Sequence, residues 1–368
     1  VDRGKQNVGK NHIIGRPMKY CLQYYGFWPQ RRFYIGAVIV ATAMVALLPF
    51  QFAYAWKLRS DMVLMMDSLK EISKIVMIGI KFFIMWRGRR LIMDLIRDVL
   101  NDWSAGPMNR EWEILAWYSR LFCSADIISY FVGTAYYYPA LYINNSGTSR
   151  ESKQFYLRSV CPSIFYDPPV FQIFITIQII ECVTLGVAES ICESLLFALV
   201  VHTGARRSTL EGYFEALSRK CNECSNSDDR RQIMIMIVRE HLYMKNLVRR
   251  INKIYSNISL FTVAFNNVIV CASGFLIITS AGSVDFYMMV GFVLLIFWII
   301  FQAFVFCALG EYTRTNGEKI FEAACKVPWY MIEPREMKML VMILANAQRP
   351  LMLSGGKMFS LSYNSFLQ

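Results

Sequence analysis

The chain has 368 residues, of which 55% are hydrophobic and 15% aromatic, with a formal net charge of +12. Its mean hydropathy of +0.33 exceeds what a single water-facing domain carries and points to a polytopic membrane protein. The cations sit in loops between apolar runs and do not form a stripe interleaved with stacking aromatics, which argues against a nucleic-acid surface and for membrane orientation.

The first thirty residues hold cations but no apolar core ending in a small-residue cleavage site, so no removable signal peptide is read there. The chain opens on Val1, which suggests a fragment. After Arg31 and Arg32, Phe33 to Trp56 runs for 24 residues without a charge, about 36 Å as a helix and enough to cross a hydrocarbon core of about 30 Å. Further apolar runs fall at 62–86, 121–142, 171–201, 258–281 and 286–309, and an incomplete one at 351–368. The run at 62–86 carries Asp67, Lys70, Glu71, Lys74 and Lys81, so its first half must face protein or water.

Alternate loops hold 30 Lys and Arg against 5 in the complementary set. Cations resist translocation, so the richer set is expected inside, with the N-terminus cytoplasmic and, after seven spans, the C-terminus outside. The expected fold is therefore all-α: a single domain over 1–368, a polytopic membrane helical bundle of seven transmembrane helices. Its inner loops are themselves patterned. Met234, Ile237, Val238, His241, Val248, Ile251, Tyr255 and Ile258 recur at helical steps, so a cytosolic helix should run into the fifth span. Thr315 with Glu318 has capping-box spacing and marks a helix start limited by Pro328; Pro334 opens another, bounded by Pro350. Their apolar faces need partners.

Little of this supports enzyme chemistry. His12, His202 and His241 lie far apart, and Cys221 with Cys224 lacks the second pair a zinc site needs, so no metal, cofactor or catalytic residue is expected. Of ten cysteines only Cys161 falls in an outer loop. Asn144 heads an outer-loop glycosylation sequon, whereas the sequon at Asn257 lies inside. Asp126, Glu181, Glu189 and Glu193 lie within apolar runs; Glu189 and Glu193 are read as hydrated near the inner surface, and Glu181 as deeper and open to either role. Tyr130, Tyr136, Tyr137 and Tyr138 with Ser129 and Thr134 fit a pocket wall or an interfacial belt equally.

Several motifs together resemble the insect odorant receptor family over nearly the whole chain. They are "YYGFWP" before the first span, "CPSIFYDPP" in the second outer loop, "VREHLYMKNLVRRINKIYSNISLF" leading into the fifth span, and the C-terminal "CALGEYTRTNGEKIFEAACKVPWY" and "MKMLVMILANAQRPLMLSGGKMFSLSYNSF". The resemblance implies an odorant receptor, a ligand-gated nonselective cation channel in which four subunits surround one pore. It further implies a tuning subunit paired with a shared odorant receptor co-receptor in the plasma membrane of olfactory sensory neuron dendrites, binding a small volatile odorant. By the same resemblance the intracellular helices form an anchor domain, with assembly roles for Ala323, Trp329, Tyr330, Met337, Leu340, Val341 and Leu344. The family's ligand pocket falls on Ile78, Phe82, Tyr130, Thr134, Tyr137, Ile177 and Glu181. The family continues past a segment like "FSLSYNSFLQ" into the pore constriction, so the chain ending at Gln368 is expected to lack its gate. A gustatory receptor of the same superfamily is the nearest alternative. A G-protein-coupled receptor would need the opposite orientation, and a transporter would need paired broken helices that the sequence does not show.

Overall fold

The computed structural model describes residues 13–29, 34–104, 109–145, 155, 163–223, 227–280 and 286–367; for 133–145, 163–164, 280 and 286–288 only the backbone is described. The described chain is almost wholly helical. Helix α1 (Arg16–Tyr24) precedes α2 (Ile35–Lys57), α3 (Met62–Arg87), α4 (Arg89–Ser104), α5 (Arg110–Asn145), α6 (Val170–Asn222), α7 (Ser227–Ser280), α8 (Phe286–Cys325) and α9 (Pro334–Ala347). A two-stranded hairpin, β1 (Ser354–Gly355) and β2 (Phe359–Ser360), and the short α10 (Tyr363–Leu367) follow.

Among the described residues four helices, α2, α6, α7 and α8, contain stretches long and apolar enough to cross a membrane. Their outward faces are lined with exposed apolar residues such as Val45, Phe52, Ile180, Leu294 and Phe297, a surface that water would not tolerate but lipid would. Within α2, Pro49 is accommodated without ending the helix. The run at 62–86 is helical as expected, and its charges turn inward: Lys70 and Lys81 are both buried.

Helices α6, α7 and α8 extend far past the apolar runs, and this is how the inner loops are built. The expected fusion of a cytosolic helix with the fifth span holds, since α7 is unbroken for 54 residues. The helix start read at Thr315 does not exist: α8 continues through it to Cys325. Nearby Thr313 returns its hydroxyl to the Leu309 carbonyl, as in-helix threonines do, and packing of Ile320 and Ala324 sustains the helix past a capping sequence.

Two apolar cores result. One fills the bundle from Met18 and Leu22 of α1 through Leu195 of α6 to Phe306 of α8. The other joins the extensions, with Leu210, Phe214, Met234, Ile237, Ile320, Leu340 and Ile343 drawn from α6 to α9.

The tract read as an incomplete seventh span is corrected by the structure. Gly356 and Lys357 have φ of 59° and 61°, the left-handed values a tight hairpin turn needs and a continuous helix excludes. The hairpin is pinned to α7 by Gly356 N donating to the Ser256 carbonyl at 2.7 Å and Ser354 N to Asn252 Oδ1 at 2.9 Å. Against α8, the absent side chain of Gly310 leaves room for the Leu361 backbone.

Candidate ligand-binding site

The motif "YYGFWP" packs into the bundle. Gly26, at φ 78°, ends α1 with the Phe27 amide donating back to the Leu22 carbonyl at 2.8 Å, a glycine-capped helix end that sends the chain sharply inward. Tyr25 and Phe27 are thereby driven against Phe82, with ring centroids 5.8 and 5.7 Å away, and Trp86, one turn along α3, stacks on Phe82 and also meets Phe27. The Tyr25 hydroxyl donates to the Thr184 carbonyl of α6. Phe82, read as a pocket wall, is therefore packed among three of the chain's own aromatics.

Other candidates fare differently. Ile78 is buried one turn from Phe82 on α3. Tyr130 of α5 lies against Gly186, whose missing side chain admits the ring, and meets Trp298 of α8 at 6.1 Å. Glu181 is buried, and its Oε2 has no hydrogen-bond partner among the described residues. Ile177 is 45% exposed and looks away from the bundle. The side chains of Thr134, Tyr137 and the sequon Asn144 lie outside the described residues, as do His12, Cys161 and Cys224. The structure thus brings Ile78, Phe82, Tyr130 and Glu181 into the bundle without gathering them around one cavity. A groove of about 360 Å³ opens elsewhere, between α3 and α7, lined by Met66, Leu69, Val268, Cys271 and Phe275.

The reading of Glu189 and Glu193 as hydrated carboxylates is overturned. They are 3% and 6% exposed and share the ammonium of Lys81, itself 1% exposed, at 3.1 and 3.5 Å. Gln302 Nε2 of α8 donates to both, at 3.3 Å for Glu189 and more closely for Glu193. Asn266 of α7 donates to Gln302 Oε1 at 3.0 Å. The Tyr130 hydroxyl lies close to Glu189. One turn away Asp126 of α5 accepts from Ser190 at 2.8 Å and Ser194 at 3.0 Å. This clasp joins α3, α5, α6, α7 and α8. It is the main feature that the sequence reading missed. Its signal was present in six ionisable or amide residues inside apolar runs, but the Lys81–Glu189 pairing spans 108 positions and no local pattern fixes it.

Beyond the apolar run of α6 a second polar network forms. Trp103 Nε1 donates to His202 Nδ1 at 3.1 Å, which leaves the imidazole proton on Nε2 to be donated to Asp102 Oδ2 at 3.0 Å. The Tyr243 hydroxyl donates to the same carboxylate at 2.8 Å, and Arg206 bridges Asp102 and Glu240. Burial alone would raise the Asp102 carboxyl, but the hydrogen bond from His202 and the Arg206 charge outweigh it and hold it below its ordinary value. Burial pushes the His202 imidazole down, against the pull of Asp102.

Of the residues assigned to assembly, Trp329, Tyr330 and Val341 are exposed, and Ala323, Met337 and Leu344 are half-buried. Leu340 lies inside the chain's own second core. Exposed Met342, beside Val341, widens the apolar patch.

The helices and their lipid-compatible faces define a polytopic membrane protein with a large helical extension at one end of the bundle. The profile of the 7tm odorant receptor family matches residues 61–368, and the chain belongs to that family. Its fold is similar to that of the insect olfactory receptor OR5 from Machilis hrabei, with a TM-score of 0.73 and 13% identity over 96% of this chain and 93% of that one. The same receptor in complex with eugenol gives a TM-score of 0.74 and 13% identity, covering 99% and 94%. No curated protein matches the chain in sequence.

Proposed function

We propose that this chain is a tuning odorant receptor, the odorant-binding subunit of a ligand-gated nonselective cation channel, and that it has no enzymatic activity. The family match over 61–368 carries this reading, and the fold shared with a receptor solved with eugenol supports it. Its ligand is a small, weakly polar volatile, eugenol-like aromatics included. Its proposed contacts are Ile78, Tyr130 and Glu181, which turn into the bundle, with Tyr130 and Glu181 as the polar handles. The exposed Trp329, Tyr330, Val341 and Met342 are the contacts through which it joins the shared co-receptor in a hetero-tetramer. The cation-rich loops support a cytoplasmic position for this end, and the receptor reading implies the plasma membrane of olfactory sensory neuron dendrites.

The test is co-expression of the full receptor with the co-receptor, followed by a panel of volatiles and measurement of cation flux. The expected outcome is current evoked by a subset of the panel and absent without the co-receptor. A chain that reaches the cell surface with the co-receptor yet gives no flux to any volatile would overturn the reading.

A further inference from the structure

The clasp has an unusual arithmetic: one ammonium serves two carboxylates that stand one turn apart on the same helix. Glu189 and Glu193 are related by i and i+4, so their Cα atoms are about 6 Å apart along α6. Lys81 sits between them, at 3.1 and 3.5 Å, held equally by neither. Gln302 repeats the pattern by donating to both. Burial makes an unpaired charge costly, so the ammonium must stay with at least one carboxylate, yet either satisfies it. A slide of α3 along α6 by about half a turn, about 3 Å, would commit Lys81 to one carboxylate and leave Gln302 to satisfy the other.

From this we infer that Lys81, Glu189, Glu193 and Gln302 form a two-position latch that sets the axial register of α3 against α6. The inference rests on the receptor reading for its purpose. Lys81 lies one turn from Ile78 and beside Phe82 on α3, and Tyr130 touches both Glu189 and the aromatic interior. A molecule lodged among those residues would bias the register, and α6 and α8, which carry the rest of the latch, run on into the helical extension. The latch residues are thus positioning residues that need touch no ligand.

The latch makes a signed prediction. Removing one carboxylate should drive Lys81 to the other, so Glu189→Gln and Glu193→Gln should move α3 in opposite directions. Spin labels introduced as unnatural amino acids at Phe83 of α3 and Ile180 of α6, both exposed, leave the native cysteines untouched. In the full chain in nanodiscs, Glu189→Gln should lengthen the inter-label distance, because Lys81 follows Glu193 toward the α4 end, and Glu193→Gln should shorten it, each by up to about 3 Å. Should Glu189→Gln fail to fold, Glu189→Asp, which withdraws the carboxylate by one methylene, should lengthen the distance by less. Equal distances in the two variants, or shifts of the same sign, would overturn the latch. Ligand-free cation conductance of the two variants with the co-receptor should also move in opposite directions. Opposed label shifts without conductance under any condition would support the latch and overturn the channel reading, so the two failures are distinguishable.

Discussion

The two buried charge networks differ in how many arrangements satisfy them. Around Asp102 three donors each have a single role: His202 Nε2 and the Tyr243 hydroxyl meet one carboxylate oxygen and Trp103 fixes the imidazole tautomer, while Arg206 spans Asp102 and Glu240. Around Lys81 both donors, the ammonium and the Gln302 amide, are shared between two acceptors one turn apart. The first network specifies one packing of α4, α6 and α7, whereas the second tolerates two packings of α3 on α6. Buried polar groups therefore rigidify one end of the molecule and leave a choice at the other.

The largest expected effect that would break this contrast comes from Lys81→Met. It leaves two buried carboxylates without their cation and should lower stability by about 3–5 kcal/mol, read as a fall in the melting temperature of the detergent-solubilised chain. Asp102→Asn comes next. It weakens the charge-assisted bonds from His202 and Tyr243 and should cost about 1.5–3 kcal/mol by the same assay. If Asp102→Asn proved harmless, the single-arrangement network would not be what holds the extension together.

A smaller effect follows from acid. His202 is depressed in the fold, so its contribution to stability is complete above its ordinary value of about 6.5 and is lost as pH falls below it. Asp102 is depressed as well, and its contribution persists until pH approaches the carboxylate range. Melting temperature should therefore decline between pH 7.5 and 5.5, and His202→Gln should flatten that decline. The smallest effect is expected from Trp329→Ala with Tyr330→Ala. Both side chains are exposed, so stability of the isolated chain should change by no more than about 0.5 kcal/mol, while co-purification with the co-receptor drops.

Much of the architecture was legible before any coordinates. Charge-free runs gave the helices, three- and four-residue apolar steps gave the α7 extension, and Pro334 marked the start of α9. Local capping chemistry misled at Thr315, where tertiary packing carried α8 onward, and hydropathy misled at 351–368, where two left-handed residues build a hairpin. At the site, sequence position alone could say that Phe82 faces inward but not that Tyr25 and Phe27 already cover it. Nor could it pair Lys81 with Glu189, because a helical period assigns a face and leaves the opposing helix unnamed.

The unbroken course of α7 has a mechanical consequence. A helix of 54 residues is about 80 Å long, and with no proline inside it to break the hydrogen-bond ladder it can turn as a lever. Tilting one tip by about 2° displaces the far tip by about 3 Å. Small disturbances at one extremity would thereby reach the other as motions large enough to matter, without any relay of individual side chains in between.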